Sequence, residues 1–534
     1  MTDALQLIEE GRKDELWKKH CGFLSLSIGD FMDIQKRLML EQIKLLGTSK
    51  IGKHLMGART PSSIEEFRRV TPLTNYSDYS NHLANKNEED LPVKPYVWAR
   101  TSGRSSDLGP KWIPYTPAFY QHLGDPIIAG MLMCSSTQEG DVRIERNDKF
   151  LMSSAPRPYA GGYIARSIAE TLNVIYLPDL DAAEKMSFGE RVTEGFKLAM
   201  RQGLDYFAGM SIVLARMGEQ FETQTNNAKP SKDLLNLPTL LRLMRAVIIA
   251  KVNRRNILPK DIWKLKGIMS GGADTGIYMD RIEYYWGRKP LEGFSCTEGG
   301  NLAMQSWNYK GMTFFPDAAF LEFIPLSEVN LNKENPTYQP KTVLLDELET
   351  GIYELVISNF HGGVFTRYRM YDLFKVLSIG DKEIGTVLPQ VQFYSRADDI
   401  IDIGSYLRLT ERDIWITIDG SGLKYSEWSA NKETIDGNPT IHLYIEFKEP
   451  PTQSNDEILR VLDEHFSKRF QEYRDIKNDL GINPLKFTLL PSGSFNAYIR
   501  SKLEAGADLA HLKPPHMRPS PESLKHLLTI LQNK

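Results

Sequence analysis

The sequence predicts an α/β fold divided into two domains, and three observations support this prediction. The 534 residues are 41% hydrophobic and 25% charged, a composition typical of a soluble globular chain with two or more domains. Amphipathic helical patterns precede a stretch rich in short strands and turns between residues 267 and 376. The composition changes after a charged segment near residue 395, so we predict domains at 1–395 and 396–534.

The predicted helices each carry a local signature. Apolar residues at helical spacing predict an amphipathic helix that runs to Leu46 from Asp30, which is taken as its N-cap. Similar patterns predict helices at 195–220 and at 237–256, the second with Pro238 in its first turn. The basic end of this last helix is consistent with a solvated helix terminus, which the helix dipole favours.

Strands are predicted in both domains. The alternating segment 352–358 indicates a buried strand, and the motif at 368–372 ends another apparent strand. In the tail, strands at 441–447 and 486–490 flank a long amphipathic helix at 455–471. This order predicts a small α+β C-terminal domain.

The charge balance and the cysteine count exclude several functional classes. A net charge of −3 gives no overall attraction to nucleic acid or to an anionic membrane, so we expect neither as a partner. Cys21, Cys134 and Cys296 are too few and too scattered for a disulfide framework or a zinc site. The charged N-terminus lacks the apolar core of a signal peptide and no run reaches membrane-span length, so we expect a cytoplasmic protein.

One loop has the composition of a phosphate-binding segment. Backbone amides around a flexible glycine close on an anion, and a nearby lysine neutralises its charge. Taken alone, the loop is also consistent with a solvated turn. Its residues are Thr101, Ser102, Gly103, Ser105 and Ser106, with Lys111 shortly after them.

Two glycine turns further along the chain supply candidate groups for binding a nucleotide. Gly271 and Gly272 follow an apolar strand and permit close approach of a flat ligand, with a plain turn as the alternative. In the second turn Phe294 would stack on a base, Thr297 would hold a phosphate oxygen and Glu298 would hold Mg²⁺. A Glu before two glycines is, on its own, also consistent with a simple turn.

Asp372 is the candidate for binding a ribose. It closes the motif Tyr-Arg-Met-Tyr-Asp, where its carboxylate would accept hydrogen bonds from both ribose hydroxyls, with a surface Arg/Asp pair as the alternative. The histidines, including His361 and His442, have no partners at metal or catalytic-triad spacing. Cys296 has no evident base beside it, so we assign it no nucleophilic role.

These segments occur in the order and spacing of the plant auxin-conjugating acyl acid amido synthetases, and the chain resembles that Gretchen Hagen type family. The family is a branch of the adenylate-forming, luciferase-like superfamily. The resemblance covers nearly the whole chain. Its motifs are the phosphate loop with 111–114, then 294–298, 320–325, 353–356 leading to 368–372, and end segments at 35–53 and 491–515.

The resemblance implies a large adenylate-forming N-terminal domain, built of β-sheets and packed helices, and a small mobile α+β C-terminal domain. It also implies that ATP and Mg²⁺ are the cofactors. The hydroxyl and glycine loop would cradle the ATP phosphates, and Glu298 would bind the metal. The adenine would be bordered by Gly271, Gly272 and Phe294, and the ribose would be held by Asp372.

Three basic residues complete the implied site. Arg396 would lie at the inter-domain hinge with Asp398, and Arg408 would correspond to a second lysine of the family. Lys513 would be the catalytic lysine that reaches the α-phosphate. The implied enzyme is a ligase that adenylates a small carboxylic acid, releases pyrophosphate and transfers the acyl group to an amino acid or another amine.

Two other functions stay open, one suggested by neighbouring branches of the superfamily and one, the non-catalytic function, by two departures from the family pattern. Arg104 stands where the family has Thr, and Tyr371 replaces the Gly before Asp372. One alternative is an acid–thiol ligase of the acyl-CoA synthetase type. The other is a nucleotide-binding relative without catalytic activity.

Overall fold

The structure is a computed structural model that describes most of the chain in two compact units. The larger unit contains the described residues within 3–102 and 110–397, and the smaller one contains residues 103–104 and the described residues between 400 and 532. None of the described helices is long and apolar enough to cross a membrane. The described residues are 3–57, 59–104, 110–224, 237–271, 275–335, 337–397, 400–404, 406–504 and 516–532.

In the larger unit, helices precede the first strand and lie between later strands in the order of the chain. The described ones are α1 (Asp3–Glu9), α2 (Lys13–Cys21), α3 (Ile28–Leu46), α4 (Lys50–Met56), α5 (Ile64–Val70), α6 (Ser77–Leu83), α7 (Pro117–His122), α8 (Asp125–Ser135), α9 (Ala160–Leu172), α10 (Leu180–Ala183), α11 (Phe188–Gln202), α12 (Ser211–Gln224), α13 (Leu237–Val252), α14 (Pro259–Ile262), α15 (Thr275–Trp286) and α16 (Leu326–Glu334).

The strands of the larger unit form a two-stranded sheet and an eleven-stranded sheet. The small sheet pairs β1 (Val97–Arg104) with β2 (Pro110–Tyr115). The large sheet contains β3 (Lys149–Met152), β4 (Ile175–Leu177), β5 (Tyr206–Met210), β6 (Gly267–Gly271), β7 (Leu291–Cys296), β8 (Gly300–Gln305), β9 (Met312–Phe314), β10 (Ala319–Pro325), β11 (Gly351–Asn359), β12 (Tyr368–Asp381) and β13 (Thr386–Arg396). Their order is β10-β11-β12-β13-β9-β8-β7-β6-β5-β3-β4.

The large sheet changes from parallel to antiparallel at β7. Strands β4, β3, β5, β6 and β7 are parallel neighbours, and helices α9, α11, α12 and α15 lie in the connections between them. From β7 to β10 the neighbours are antiparallel. The carboxyl ends of the parallel strands therefore share one edge, where α/β folds ordinarily bind ligands.

Helix α3 confirms one predicted helix and corrects its first residue. It begins at Ile28 because the Ser27 side chain accepts a hydrogen bond from the Asp30 backbone N–H at 3.1 Å. Asp30 therefore lies in the first turn, and the prediction that it is the N-cap is wrong. The helix buries Phe31, Met39 and other apolar residues at the predicted spacing.

Two other sequence expectations are wrong in detail. The predicted helix at 195–220 is divided into α11 and α12 by β5, because Gly203 adopts a φ of +95° and ends α11. The motif at 368–372 begins β12 rather than ending a strand. The apolar run of β5 was interpreted as part of a helix, and the start of β12 was interpreted as the end of a strand. Local periodicity does not distinguish these cases for short apolar runs.

The smaller unit has the α+β composition predicted for the tail. Its strands β16 and β17 are antiparallel, and β18 is parallel to β17. The predicted strands at 441–447 and 486–490 lie within β17 and β18, and the predicted helix corresponds to α18. The elements are β14 (Ile401–Ile403), β15 (Leu407–Leu409), α17 (Glu411–Gly420), β16 (Tyr425–Ile435), β17 (Asn438–Phe447), α18 (Asn455–Arg469), α19 (Gln471–Asn478), β18 (Leu485–Leu490), α20 (Ser494–Glu504) and α21 (Pro521–Gln532).

Candidate functional site

The candidate site is built around the turn that joins β7 to β8. The Asn359 side-chain amide donates a hydrogen bond to the backbone oxygen of Glu298 at 2.8 Å, and the Tyr115 hydroxyl donates to the backbone oxygen of Thr297 at 2.9 Å. The Gly299 N–H donates to the Cys296 sulfur at 3.1 Å. Three contacts therefore fix the backbone that carries the Glu298 carboxylate.

A chain of polar contacts links the Glu298 carboxylate to a lysine. The Tyr368 hydroxyl donates to Glu298 Oε1 at 3.3 Å, and Lys111 Nζ donates to the Tyr368 oxygen at 3.4 Å. Lys111 Nζ also lies 4.9 Å from the centre of the Tyr76 ring, within cation–π range. Burial, together with the nearby charge of Glu298, raises the pKa of Tyr368 well above its usual range. Tyr368 therefore keeps its proton and remains a donor to the carboxylate.

Aromatic rings form one wall beside this turn. The Phe294 ring packs edge-to-face on Phe374 at a centroid distance of 4.7 Å and stacks on Phe393 at 6.3 Å. Two residues earlier on β7, burial raises the pKa of Glu292 to about 7. The Phe294 ring is half-buried, so it retains an accessible part on which a flat ligand would stack.

Asp372 and Arg396 form an ion pair across β12 and β13. The two residues are direct partners in the strand register, and Arg396 Nη1 donates to Asp372 Oδ1 at 2.9 Å. Burial, together with the charges of Glu298 and Asp372, raises the pKa of the Cys296 thiol well above its usual range. A ribose bound at Asp372 would therefore share the carboxylate with the Arg396 guanidinium or displace it.

The backbone before Asp372 adopts a conformation that favours glycine. Tyr371 has a φ of +57°, in the left-handed region, and its carbonyl accepts a hydrogen bond from the Ala397 N–H at 2.6 Å. The Arg369 guanidinium lies 4.9 Å from the centre of the Tyr371 ring. The departure noted in the sequence thus places a large side chain at a position with a glycine-like backbone.

Replacing Tyr371 with glycine is expected to leave the protein more stable than replacing it with alanine, by about 1 kcal/mol. Both variants lose the ring that Arg369 contacts, so the difference reports the cost of the left-handed backbone. The measurement is the midpoint of urea unfolding for each variant. At Lys375, an exposed position of the same strand, the order should reverse and alanine should be better than glycine. Equal midpoints for the two Tyr371 variants would contradict the strained backbone.

The other predicted site residues have varied positions. Gly271 ends β6, and among the described residues a Cβ added there would meet only the Gly293 oxygen, at 3.6 Å. Arg408 belongs to the smaller unit, where its Nε donates to Asp402 Oδ2 at 2.7 Å. Thr101, Ser102 and Gly103 lie on β1. The predictions that fall outside the described residues are Ser105, Ser106, Gly272, Asp398 and Lys513.

Several residues that shape the turn have no role predicted from the sequence. Tyr368 was recognised as part of a motif, but its link between Lys111 and Glu298 was not foreseen. Tyr115 and Asn359, which bind the turn backbone, had no sequence signal apart from their positions beside the motifs. Their contacts join segments far apart in the chain, so no local pattern predicts them.

A single carboxylate such as Glu298 is the kind of protein ligand that Mg²⁺ accepts. In the part of the chain that the structure describes, no group of three or more His, Cys, Asp or Glu side chains could hold a metal ion. Mg²⁺ is commonly bound by one or two carboxylates together with substrate phosphates and water. The Glu298 carboxylate, which accepts a hydrogen bond from Tyr368, would supply one such carboxylate.

Comparison with protein families identifies two domains. The GH3 family central domain matches residues 312–396, and the GH3 family C-terminal domain matches residues 420–522. Two stretches of this chain are therefore similar to GH3 family domains. The resemblance predicted from the motifs is thereby confirmed. The central GH3 match includes Asp372 and Arg396 and runs from β9 to the end of β13, whereas Glu298 lies before it.

Curated relatives also carry GH3 names. The chain is 24% identical over 290 residues to the 4-substituted benzoates-glutamate ligase GH3.12 of Arabidopsis thaliana. The aligned region covers 49% of this chain and 47% of that relative. The chain is 23% identical over 268 residues to the probable indole-3-acetic acid-amido synthetase GH3.4 of Oryza sativa subsp. japonica, covering 46% and 41%. The chain therefore spans less than half the length of these relatives.

Solved structures share the fold over nearly the whole chain. A 2-hydroxyisobutyryl-CoA ligase in complex with 2-HIB-AMP and CoA matches with a TM-score of 0.55 and 14% identity, covering 96% of this chain and 94% of that one. The GH3.15 acyl acid amido synthetase matches with a TM-score of 0.50 and 15% identity, covering 95% and 94%. These likenesses confirm the predicted α/β fold class.

Proposed function

We propose that this chain is an ATP-dependent acid–amine ligase. It would adenylate a small carboxylic acid and pass the acyl group to an amino acid or another amine. The observation that carries the proposal is the Glu298 turn, whose carboxylate is held by Tyr368 and linked to Lys111, in a chain with GH3 domains. The names of the curated relatives, a benzoate–glutamate ligase and an indole-3-acetic acid-amido synthetase, support the same substrate classes.

In the first step, a carboxylate oxygen of the acid would attack the α-phosphorus of ATP, and the bond to pyrophosphate would break. Negative charge spreads over the phosphate oxygens in such a transition state and must be neutralised. Glu298 would hold Mg²⁺, which neutralises phosphate charge when bound. Tyr368 would keep the Glu298 carboxylate in place, and Lys513 would reach the α-phosphate.

In the second step, the amine nitrogen would attack the acyl carbon, lose a proton and release AMP. The acyl adenylate hydrolyses readily, so the site must exclude water until the amine arrives. A C-terminal domain that moves during the reaction would help to exclude water. Phe294 would stack on the adenine, and Asp372 would bind the ribose alongside Arg396. We place the reaction in the cytoplasm, where ATP is available and the free cysteines stay reduced.

Product analysis tests the proposal. The protein would be incubated with ATP, Mg²⁺ and a panel of aromatic, indolic and aliphatic acids, with either mixed amino acids or coenzyme A as acceptor. We expect mass spectrometry to detect an amide that requires ATP, one acid and one amino acid. A thioester formed with coenzyme A instead would assign the acceptor to the thiol class, which the fold shared with a CoA ligase also permits. No acid-dependent product with either acceptor would contradict a ligase and favour a nucleotide-binding relative.

A further inference from the structure

Helix α13 exposes its large apolar residues and buries its small ones. Its buried residues are Thr239, Ala246 and Ala250. Surface helices of globular proteins ordinarily turn their large apolar side chains toward the core. Seven exposed large apolar residues of the described chain lie on this one helix, and the most exposed are Leu237, Leu241, Met244, Ile248 and Val252. Such a patch marks an interaction surface.

Contacts at both ends fix which face of α13 points outward. The Thr239 hydroxyl donates to the Met200 carbonyl at 2.8 Å, and Arg242 Nη2 donates to the same carbonyl at 2.6 Å. These bonds attach the first turns of α13 to the end of α11. Just beyond the other end, Arg255 Nη1 and Asp261 Oδ2 form an ion pair at 2.6 Å. The helix cannot rotate its apolar face inward without breaking these contacts.

The charge of this segment is opposite to that of the whole chain. Residues 237–255 contain five basic side chains and no acidic one, whereas the chain as a whole carries a net charge of −3. Arg245, Lys251 and Arg254 are exposed, and no ion pair is found for them among the described residues. From the overall charge we expected no membrane partner. Residues 237–255 nevertheless carry a local excess of positive charge.

The positions of these cations match an interfacial helix. At about 100° per residue, the exposed apolar side chains cover an arc of about 140° centred on Met244. Arg245 borders this arc, and Lys251 lies at its C-terminal end, where a long side chain reaches lipid headgroups while its stem stays on apolar surface. Basic residues beside an exposed apolar helix face are the signature of binding to an anionic bilayer surface.

We propose that α13 docks this protein onto an anionic phospholipid surface. A second copy fits the face poorly, because a symmetric contact would bring together two helices that carry only basic charges, with no acidic partner on α13. A partner that wraps around a helix is also disfavoured, because the face with Thr239, Ala246 and Ala250 is already packed. A bilayer needs only one exposed face, and this inference does not depend on the proposed ligase activity.

Vesicle flotation tests the proposal with the full-length protein. The vesicles would be phosphatidylcholine alone or phosphatidylcholine with about 30 mol% phosphatidylglycerol. We expect binding to the anionic vesicles only, and binding that weakens as salt rises. The double variant Met244→Gln/Ile248→Gln and the charge variant Arg245→Glu/Lys251→Glu should each bind at least about tenfold more weakly. Unchanged thermal unfolding midpoints would show that the variants are folded.

Matched controls separate the helix face from general surface properties. Val387→Gln removes an exposed apolar side chain elsewhere in the larger unit, and Lys424→Glu reverses an exposed charge in the smaller one; both should bind like the wild type. Equal losses in these controls, or no loss in the α13 variants, would overturn the proposal. A dimer in analytical ultracentrifugation that Met244→Gln/Ile248→Gln converts to monomer, without vesicle binding, would assign the face to a second copy instead.

Discussion

Replacing Glu298 with glutamine is expected to lower acid-dependent pyrophosphate release by at least about a hundredfold. The amide keeps the shape of the side chain and still accepts a hydrogen bond from Tyr368, but it lacks the negative charge that a hard cation prefers. The rate should fall at every Mg²⁺ concentration, and the concentration that gives half of the maximal rate should rise. Both quantities are measured by following pyrophosphate over a Mg²⁺ titration.

The matched control for this experiment is Glu349→Gln. Glu349 is exposed and lies outside the candidate site, so the control makes the same chemical change at a position where we expect no effect on the reaction. It should release pyrophosphate at the wild-type rate with an unchanged Mg²⁺ requirement. If Glu298→Gln also behaves like the wild type, Glu298 is not the metal ligand, and the assignment of the β7–β8 turn is wrong.

Replacing Arg367 with methionine is expected to destabilise the protein by about 3–5 kcal/mol, because the change leaves a buried carboxylate without its main partner. Arg367 donates to both oxygens of Glu322 at 3.0 Å, and Glu322 is 1% exposed. The same guanidinium donates to the carbonyls of Arg68 and Thr71 at 2.6 Å. Arg68 and Thr342 would remain as partners of Glu322, but the bidentate pair would be lost.

Urea unfolding followed by tryptophan fluorescence measures this effect. The control is Lys310→Met, which removes the exposed ion pair between Lys310 and Glu383. Its midpoint should stay close to that of the wild type, because solvent screens exposed pairs. Similar midpoints for Arg367→Met and Lys310→Met would contradict the claim that the buried network stabilises the large sheet.

Elements with local signals are predictable from the sequence. Apolar spacing located strands β17 and β18 and also helix α3, whose N-cap alone was predicted wrongly. Helix α13 was also predicted, but its outward apolar face was not. Periodicity shows which residues share a face of the helix. Which face packs against the protein depends on α11 and on hydrogen bonds to residues such as Met200.

The arrangement of the candidate site depends on contacts between distant segments. Asp372 and Arg396 were both singled out, yet their ion pair follows from the register of β12 and β13, which the sequence does not specify. Glu322 and Arg367 are 45 residues apart and meet only when β10, β11 and the segment before β12 are aligned. The sequence therefore indicated candidate site residues, but it did not indicate which charged side chains form ion pairs with one another.

The measurement that tests the central claim most directly is the exchange of labelled pyrophosphate into ATP. This exchange requires reversible formation of an acyl adenylate, and it needs neither the amine nor any knowledge of the acceptor. We expect exchange that depends on Mg²⁺ and on one class of carboxylic acid in the panel. Absence of exchange with every acid, by a protein that still binds ATP, would contradict the adenylation on which this account rests.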